Sequence, residues 1–402
     1  MKALLKSKAG WGILLMTLLV NISAQSVWTP HNHGTTTLYS ITWTGSQFVA
    51  VGNSYDSILI SPDGVNWSAK ASHAGGVLKS VIWTGSQLVA VGSSTIITSP
   101  DGNVWTNRSL GVFPSLEAVI WTGSSIGSGS GQLVAVGAIN TILTSLDGVT
   151  WTLRNSGTGT YSLLSVAWTG SQLGAVGIGD TILTSLDGIG WTKRLSGTPT
   201  EKRSVIWTGS KLVVVGGGVA VSGSAIALTS TDGIAWTKKD LSAYNGFNSV
   251  VWNGIQLVTV GLNGKILTSS DGNTWTGKTS GIATDLYSVT RTGNQLVAVG
   301  ANGTILTSPQ DPVSISQYQI TPNSFSLHLT SSHIFATLPS SFLGTNIRAS
   351  IFTVTGNKVL EVNAGNSATG IAMPLGNLTN GVYLFELQTD DKRTTQTFSL
   401  MR

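Results

Sequence analysis

The stretch TILTSLDG occurs at Thr141–Gly148 and again, forty residues further on, at Thr181–Gly188. Self-similarity at such a period is the mark of a repeat architecture, in which each copy is one supersecondary unit. Working outward from the two copies, the match extends into a longer unit. It reads L-x-S-V-x-W-T-G-S-Q-L-V-A-V-G, a short variable turn, then T-I-L-T-S-x-D-G-x-x-W-T. The first Trp of the unit is Trp43, Trp83, Trp121, Trp168, Trp207 and Trp252, with Arg291 in that place in a seventh copy. The second is Trp67, Trp105, Trp151, Trp191, Trp236 and Trp275.

Each unit contains four segments of strand length separated by turn signals. The Asp-Gly after TILTS is a strong hairpin signal, because it supplies residues that tolerate positive φ. Consecutive apolar positions such as Leu133–Val136 suit a strand buried on both faces. Four short strands in about 40–45 residues form the pattern of a β-propeller blade. The seventh copy runs through Thr304–Asp311 and stops before its second Trp. SVWTP (Ser26–Pro30) supplies the missing strand, and the 15 residues from Trp28 to Trp43 match the 16 or 17 found between the same positions elsewhere. The expectation is therefore an all-β chain: a seven-bladed β-propeller over residues 25–311, closed by its N-terminal strand, followed by a small β-sandwich.

The two ends bear on location. Lys2, Lys6 and Lys8 precede a short apolar run, Trp11–Val20, and small residues Ser23 and Ala24. That is the pattern of a secretory signal peptide over residues 1–24. The apolar run is half the roughly 20 residues a membrane helix needs, so no transmembrane anchor is expected after cleavage. Without the three lysines the formal charge falls from +5 to 19 basic against 17 acidic residues, which removes the case for a nucleic-acid partner. There is no Cys, so an exported chain of this kind holds its fold by packing alone.

After Pro312 the repeat and the Trp residues end. A linker, residues 312–322, leads into residues 323–402, where IRASIFTVTGNKVLEV (Ile347–Val362) reads as a hairpin turning at Thr355–Asn357. IFTVTGNKVLEV, LTNGVYLFEL and the short basic ending resemble the C-terminal sorting domain of the type IX secretion system. The resemblance implies export through the periplasm, handling by the outer-membrane secretion machinery, and a propeller that works as cargo, secreted or on the cell surface.

The turn S-x-D-G-x-x-W resembles the Asp-box of BNR-type propeller repeats, shortened by one residue between Asp and Gly. LVAVGANGTILTS (Leu296–Ser308) is similar to the repeat of propellers related to photosystem II assembly factors. These resemblances imply a fold and no particular activity, since one architecture hosts many functions. The sialidases among BNR proteins need an arginine triad with a Tyr–Glu pair. The propeller arginines Arg108, Arg154, Arg194, Arg203 and Arg291 do not supply that set, because three of them occupy one outer-strand position.

Asp63, Asp101, Asp147, Asp187, Asp232 and Asp271 occupy one position of six different units, so they ring the molecule and do not converge. Their expected work is to accept hydrogen bonds from turn N–H groups. The twelve repeat Trp residues are expected to pack the blades, with their indole N–H groups on loop carbonyls. Function is expected where the template breaks. The residue four before the first Trp varies most: Tyr39, Lys79, Glu117, Leu164, Arg203, Asn248 and Tyr287. It lies at the start of the strand that lines the channel of a propeller. Tyr39, Lys79, Glu117, Arg203, Asn248 and Tyr287 are therefore the candidate binding residues, for a sugar or a peptide. The plainer reading of the same ring is a solvated channel mouth.

Three further features stand out. A cation follows the second Trp by three residues: Lys70, Arg108, Arg154, Arg194, Lys239 and Lys278, with His31 after Trp28. It reads as an exposed outer-strand charge that discourages edge pairing, or as a basic rim for an anionic glycan or acidic protein. Two insertions, Ser124–Gly131 and Gly216–Ala225, interrupt the period, the second on the face of the variable ring. Asp56, Glu117, Asp180, Glu201 and Asp285 are carboxylates expected toward that face, the type of group a glycoside hydrolase pairs.

No cofactor and no metal-ligand spacing is found, nor G-x-S-x-G or a P-loop. The sequence points to a non-catalytic binding protein for a polysaccharide or an extracellular protein. An extracellular glycoside hydrolase is the alternative, and an envelope assembly factor or scaffold a second one.

Overall fold

The structure is a computed structural model. It describes residues 28–53, 57–72, 74–109, 114–123, 131–157, 161–218, 224–292, 295–309, 326–329, 333–337, 346–353, 357–364, 370–375, 378, 381–389 and 393–400. The expected signal peptide, the linker, Asp56, most of the first insertion and half of the second lie outside these residues, as do the expected domain boundaries.

Seven four-stranded antiparallel sheets follow one another along the chain. In blade 1 the strands are Leu38–Trp43, Phe48–Gly52, Ser57–Ser61 and Ser68–Ala71, each paired with the next. Blades 2–6 repeat that order, with inner strands Leu78–Trp83, Leu116–Trp121, Leu163–Trp168, Lys202–Trp207 and Phe247–Trp252. Blade 7 begins with Leu286–Arg291, and its fourth strand is Thr29–Asn32 from the N-terminal end of the described chain. Thr29 pairs with Thr307 and Asn32 with Thr304, so the first described strand completes the last sheet. Trp28 is buried there against Val258, Leu286 and Leu306.

The second strand of blades 1–6 is fully buried, and that of blade 7 is buried from Leu296 to Gly300, as the apolar run requires. Each inner strand touches the inner strands on either side, and the contact of blade 7 with blade 1 closes the ring. A ring of inner strands leaves the N–H groups on their channel side without a sheet partner. The Ser of L-x-S-V answers this. Ser40 Oγ accepts the Val81 N–H at 3.1 Å, and Ser80, Ser165, Ser204 and Ser249 accept from Val119, Val205, Val250 and Val289 in the same way. Blade 3 has Ala118 at that position.

The C-terminal region folds as two sheets. One contains Ser326–Leu329, His333–Thr337 and Gly370–Pro374. The other contains Lys358–Ala364, Ile347–Thr353, Gly381–Gln388 and Arg393–Leu400, in that order. Ile334, Ile351, Met373 and Phe385 are among the residues of the core they enclose. Strands Ile347–Thr353 and Lys358–Ala364 pair as the expected hairpin.

Candidate functional site

The variable ring owes its position to a β-bulge repeated in all seven blades. In blade 1 Leu38 pairs with Gly52 and Ser40 with Val51, so Tyr39 is an extra residue on the inner strand. The same shift occurs at Lys79, Glu117, Leu164, Arg203, Asn248 and Tyr287. Bulges re-aim side chains, and all seven of these residues are half-buried. The bulge also explains the Gly that ends every second strand. A Cβ on Gly52 would sit 2.0 Å from the Thr37 carbonyl oxygen, and one on Gly92 would sit 1.9 Å from that of Val77.

Neighbouring bulge residues meet at three of the seven blade junctions. The Tyr39 and Tyr287 rings lie 5.4 Å apart at 54°, which joins blades 7 and 1. Lys79 Nζ stands 3.9 Å over the Tyr39 ring, an arrangement that attracts through the ring quadrupole. On the other side Asn248 Nδ2 donates to the Leu286 carbonyl at 2.7 Å, while its Oδ1 accepts from Arg203 at 3.0 Å. Arg203 also pairs with Glu201 at 2.8 Å, and its Nε is buried without a hydrogen-bond partner among the described residues. An arc over blades 5, 6, 7, 1 and 2 is thus connected, through side chains except at the Leu286 carbonyl that Asn248 bonds beside Tyr287. Glu117 and Leu164 stand apart from it, Glu117 accepting from Ser115 at 3.3 Å. Burial is the main cause that pushes the Tyr287 hydroxyl above its ordinary pKa, with Asp285 adding to it.

The Tyr pair is not an open stacking platform. The ammonium of Lys79 covers one face of Tyr39, and Tyr287 is tilted against it. The second insertion begins at the edge of this site. A Cβ on Gly218 would lie 3.0 Å from an Arg203 guanidinium nitrogen and 3.2 Å from a Glu201 oxygen.

The carboxylates expected toward this face are each held locally. Asp180 accepts from the N–H of Ser196 at 2.8 Å and from its hydroxyl. Asp285 accepts the Asn263 N–H at 2.8 Å, and Glu201 is spent on Arg203. Among the described residues no group of three His, Cys, Asp or Glu is arranged to hold a metal ion.

The six turn aspartates sit at the opposite end of the strands. Asp147 Oδ1 accepts the N–H groups of Val149 and Thr150, both at 2.8 Å, and Trp151 donates to the Gly148 carbonyl at 3.1 Å. The indole bond recurs in all six turns. The turn hydrogen bonds hold all six carboxyls below the usual carboxylate pKa. Gln47, Gln87 and Lys211 tie three of these turns to the preceding blade, donating to the carbonyls of Asp101, Asp147 and Asp271.

The outer cations are less free than their sequence positions imply. Arg108, Arg154 and Arg194 donate Nε to Thr98, Thr144 and Thr184 on the adjacent strand, at 3.1, 2.8 and 3.0 Å. His31 meets Thr307 at 3.0 Å. The expectation of a simply exposed charge is corrected: the three arginines and His31 bond back onto their own sheet, and only Lys239 of the set is fully exposed.

Lys202 escaped the sequence reading. It is 0% exposed, at a position where the other six blades carry Leu or Phe. Its ammonium donates to the carbonyls of Gly179, Thr198 and Thr200 at 2.7, 2.9 and 2.9 Å. Burial pulls its pKa down to about 8 from 10.5. The misfit was visible in the aligned repeats, as the one cation in a column of apolar residues.

No curated protein matches this chain. Solved structures similar in fold include YCF48 bound to D1 peptide, at TM-score 0.57 and 18% identity, covering 73% of this chain and 100% of that one. Virginiamycin B lyase from Staphylococcus aureus is similar at TM-score 0.61 and 11% identity, covering 70% of this chain and 99% of that one. The WD40 propeller domain of Doa1 is similar at TM-score 0.56 and 11% identity, over 71% of this chain and 97% of that one. Residues 328–400 match the family described as the secretion system C-terminal sorting domain. No helix among the described residues is long and apolar enough to cross a membrane. The propeller is therefore joined to a type IX sorting domain that engages the secretion machinery, and the protein is secreted or displayed at the cell surface.

Proposed function

We propose that the propeller is a non-catalytic binding module whose ligand, a polysaccharide or a segment of an extracellular protein, docks on the bulge residues at the channel mouth. The observation that carries this reading is the arc in which Arg203 bonds Asn248, Asn248 bonds the Leu286 carbonyl beside Tyr287, and Tyr287, Tyr39 and Lys79 follow in contact. It joins five blades at the end of the ring where the repeat varies, while the other end repeats the same bonds blade after blade.

Between the two ligand classes, the covered face of Tyr39 favours a ligand held by hydrogen bonds and charge over a sugar ring stacked flat. A protein segment fits that description, and the similarity in fold to a propeller solved with a bound peptide supports it. The glycoside hydrolase reading is weakened because Asp180, Glu201 and Asp285 are each engaged by a neighbour. The likeness of the S-x-D-G-x-x-W turns to Asp-boxes concerns the scaffold, since these turns lie at the far end from the mouth. A signal peptide over residues 1–24 completes the proposed export route.

The test screens the full chain and a Tyr39→Ala/Tyr287→Ala double variant on peptide and glycan arrays. Binding by the parent that the double variant loses, with the fold retained, places the ligand at the mouth. Binding that survives the double variant unchanged moves it elsewhere.

A further inference from the structure

Blades 5 and 7 solve the same problem with different residues. In both, a connector from the preceding blade must be held against that blade's second turn before the chain enters its inner strand. In blade 7 the residue before the inner strand, Asp285, does this by accepting the N–H of Asn263 from the turn of blade 6. The apolar residues Ile282 and Leu286 pack beneath. In blade 5 the equivalent residues are Glu201, Thr198 and Lys202. Here the turn of blade 4 is reached from below: Lys202 donates to Gly179 O, and Asp180 accepts from Ser196. Glu201 is thereby released from the bond that Asp285 makes, and turns to Arg203.

Burying an ammonium in a propeller core costs stability that a Leu would not. Departures of this kind, local rules broken at one copy of a repeat, gather at functional sites. Lys202 is flanked in sequence by the Glu201–Arg203 pair, and all three of its N–H donors are spent on carbonyls: two in the connector, one in the turn of blade 4.

We infer that Lys202 is a positioning residue of the mouth: it clamps the 195–201 connector to the blade 4 turn, which leaves Glu201 free to aim the Arg203 guanidinium. The functional consequence rests on the mouth being the ligand site, but the clamp does not.

The test reads Arg203 directly and needs no ligand. The Arg203 Nε–H is buried, so its side-chain resonance in the 15N-labelled full chain should exchange slowly with solvent, with Arg203→Lys assigning it by loss. Two variants remove the clamp. Lys202→Met keeps the unbranched stem without the ammonium, and Thr198→Ile/Lys202→Leu installs the apolar pair that blade 7 already carries. In either folded variant the Nε–H should exchange about tenfold faster or more, as expected for a locally opened segment. Amides of the equivalent blade 7 connector, residues 279–285, should keep their rates. Unchanged Arg203 exchange in the folded double variant overturns the assignment, and so does a loss of protection that is equal in both connectors. The array experiment fails independently of either result.

Discussion

The two ends of the propeller strands are built on opposite plans. At the turn end, six blades carry the same Ser, Asp, Gly and Trp, whose side chains bond within their own hairpin. At the mouth, seven blades share only a bulge, and five of the side chains it carries reach a neighbouring blade. A residue that repeats with its partners is explained by the blade. One that differs while keeping the same backbone position is free to serve the molecule as a whole. The difference teaches where to look for function in a repeat protein, and Lys202 shows that a core position can belong to the second group.

The sharpest way to break this comparison is to remove the bulge on which the mouth is built. Gly92→Ala drives a Cβ into the Val77 carbonyl at the base of the bulge. It should cost more than about 3 kcal/mol, the upper range for overpacking, and urea unfolding should show a chain that is destabilised or not folded. Trp105→Ala attacks the turn end alone. Trp105 is 5% exposed, and its loss should cost about 3–5 kcal/mol. The Arg203 Nε–H signal at the mouth should be unchanged in the protein that remains folded.

Lys202 offers a measurement with a defined sign. Its folded pKa of about 8 lies below its ordinary value of 10.5. Between these values the unfolded chain binds the proton and the folded chain does not, so stability rises with pH. The cost of burying the charge is fully present below about pH 8 and is relieved as pH climbs toward 10.5. Relative to Lys202→Met, the wild type should gain on the order of 2–3 kcal/mol across that window, read from urea midpoints at pH 7.5 and 10. A difference independent of pH would mean the ammonium keeps an ordinary pKa.

Arg154→Ala should have the smallest effect. Its Nε bond to Thr144 is a single half-buried hydrogen bond, worth about 1 kcal/mol or less. Thermal unfolding should shift by a few degrees at most. A large loss of binding to an anionic glycan in the same variant would instead assign function to the outer rim.

Much of this was legible in the repeat itself. The period fixed blade and strand order, the displaced Trp28 announced the closing strand, and the Asp and Trp columns declared their roles through invariance. The candidate ring was also legible, as the column that varied. What could not be read was contact: that Lys79 would cover Tyr39, that Asn248 would bridge Arg203 to blade 7, or that the rim arginines would fold back onto threonines. These depend on the separation of side chains some forty residues apart in sequence, which periodicity orders but does not measure.

By itself the sequence determined the periodic part of this protein, because strands, Asp-Gly turns and the alternation of apolar runs are local properties repeated often enough to leave one architecture. Tertiary structure alone decided the mouth. There the bulge, a close approach that only Gly permits on the facing strand, brings residues of different blades within bonding distance. Whether Glu201 meets a turn or an arginine depends on what a buried lysine one residue away has already bound.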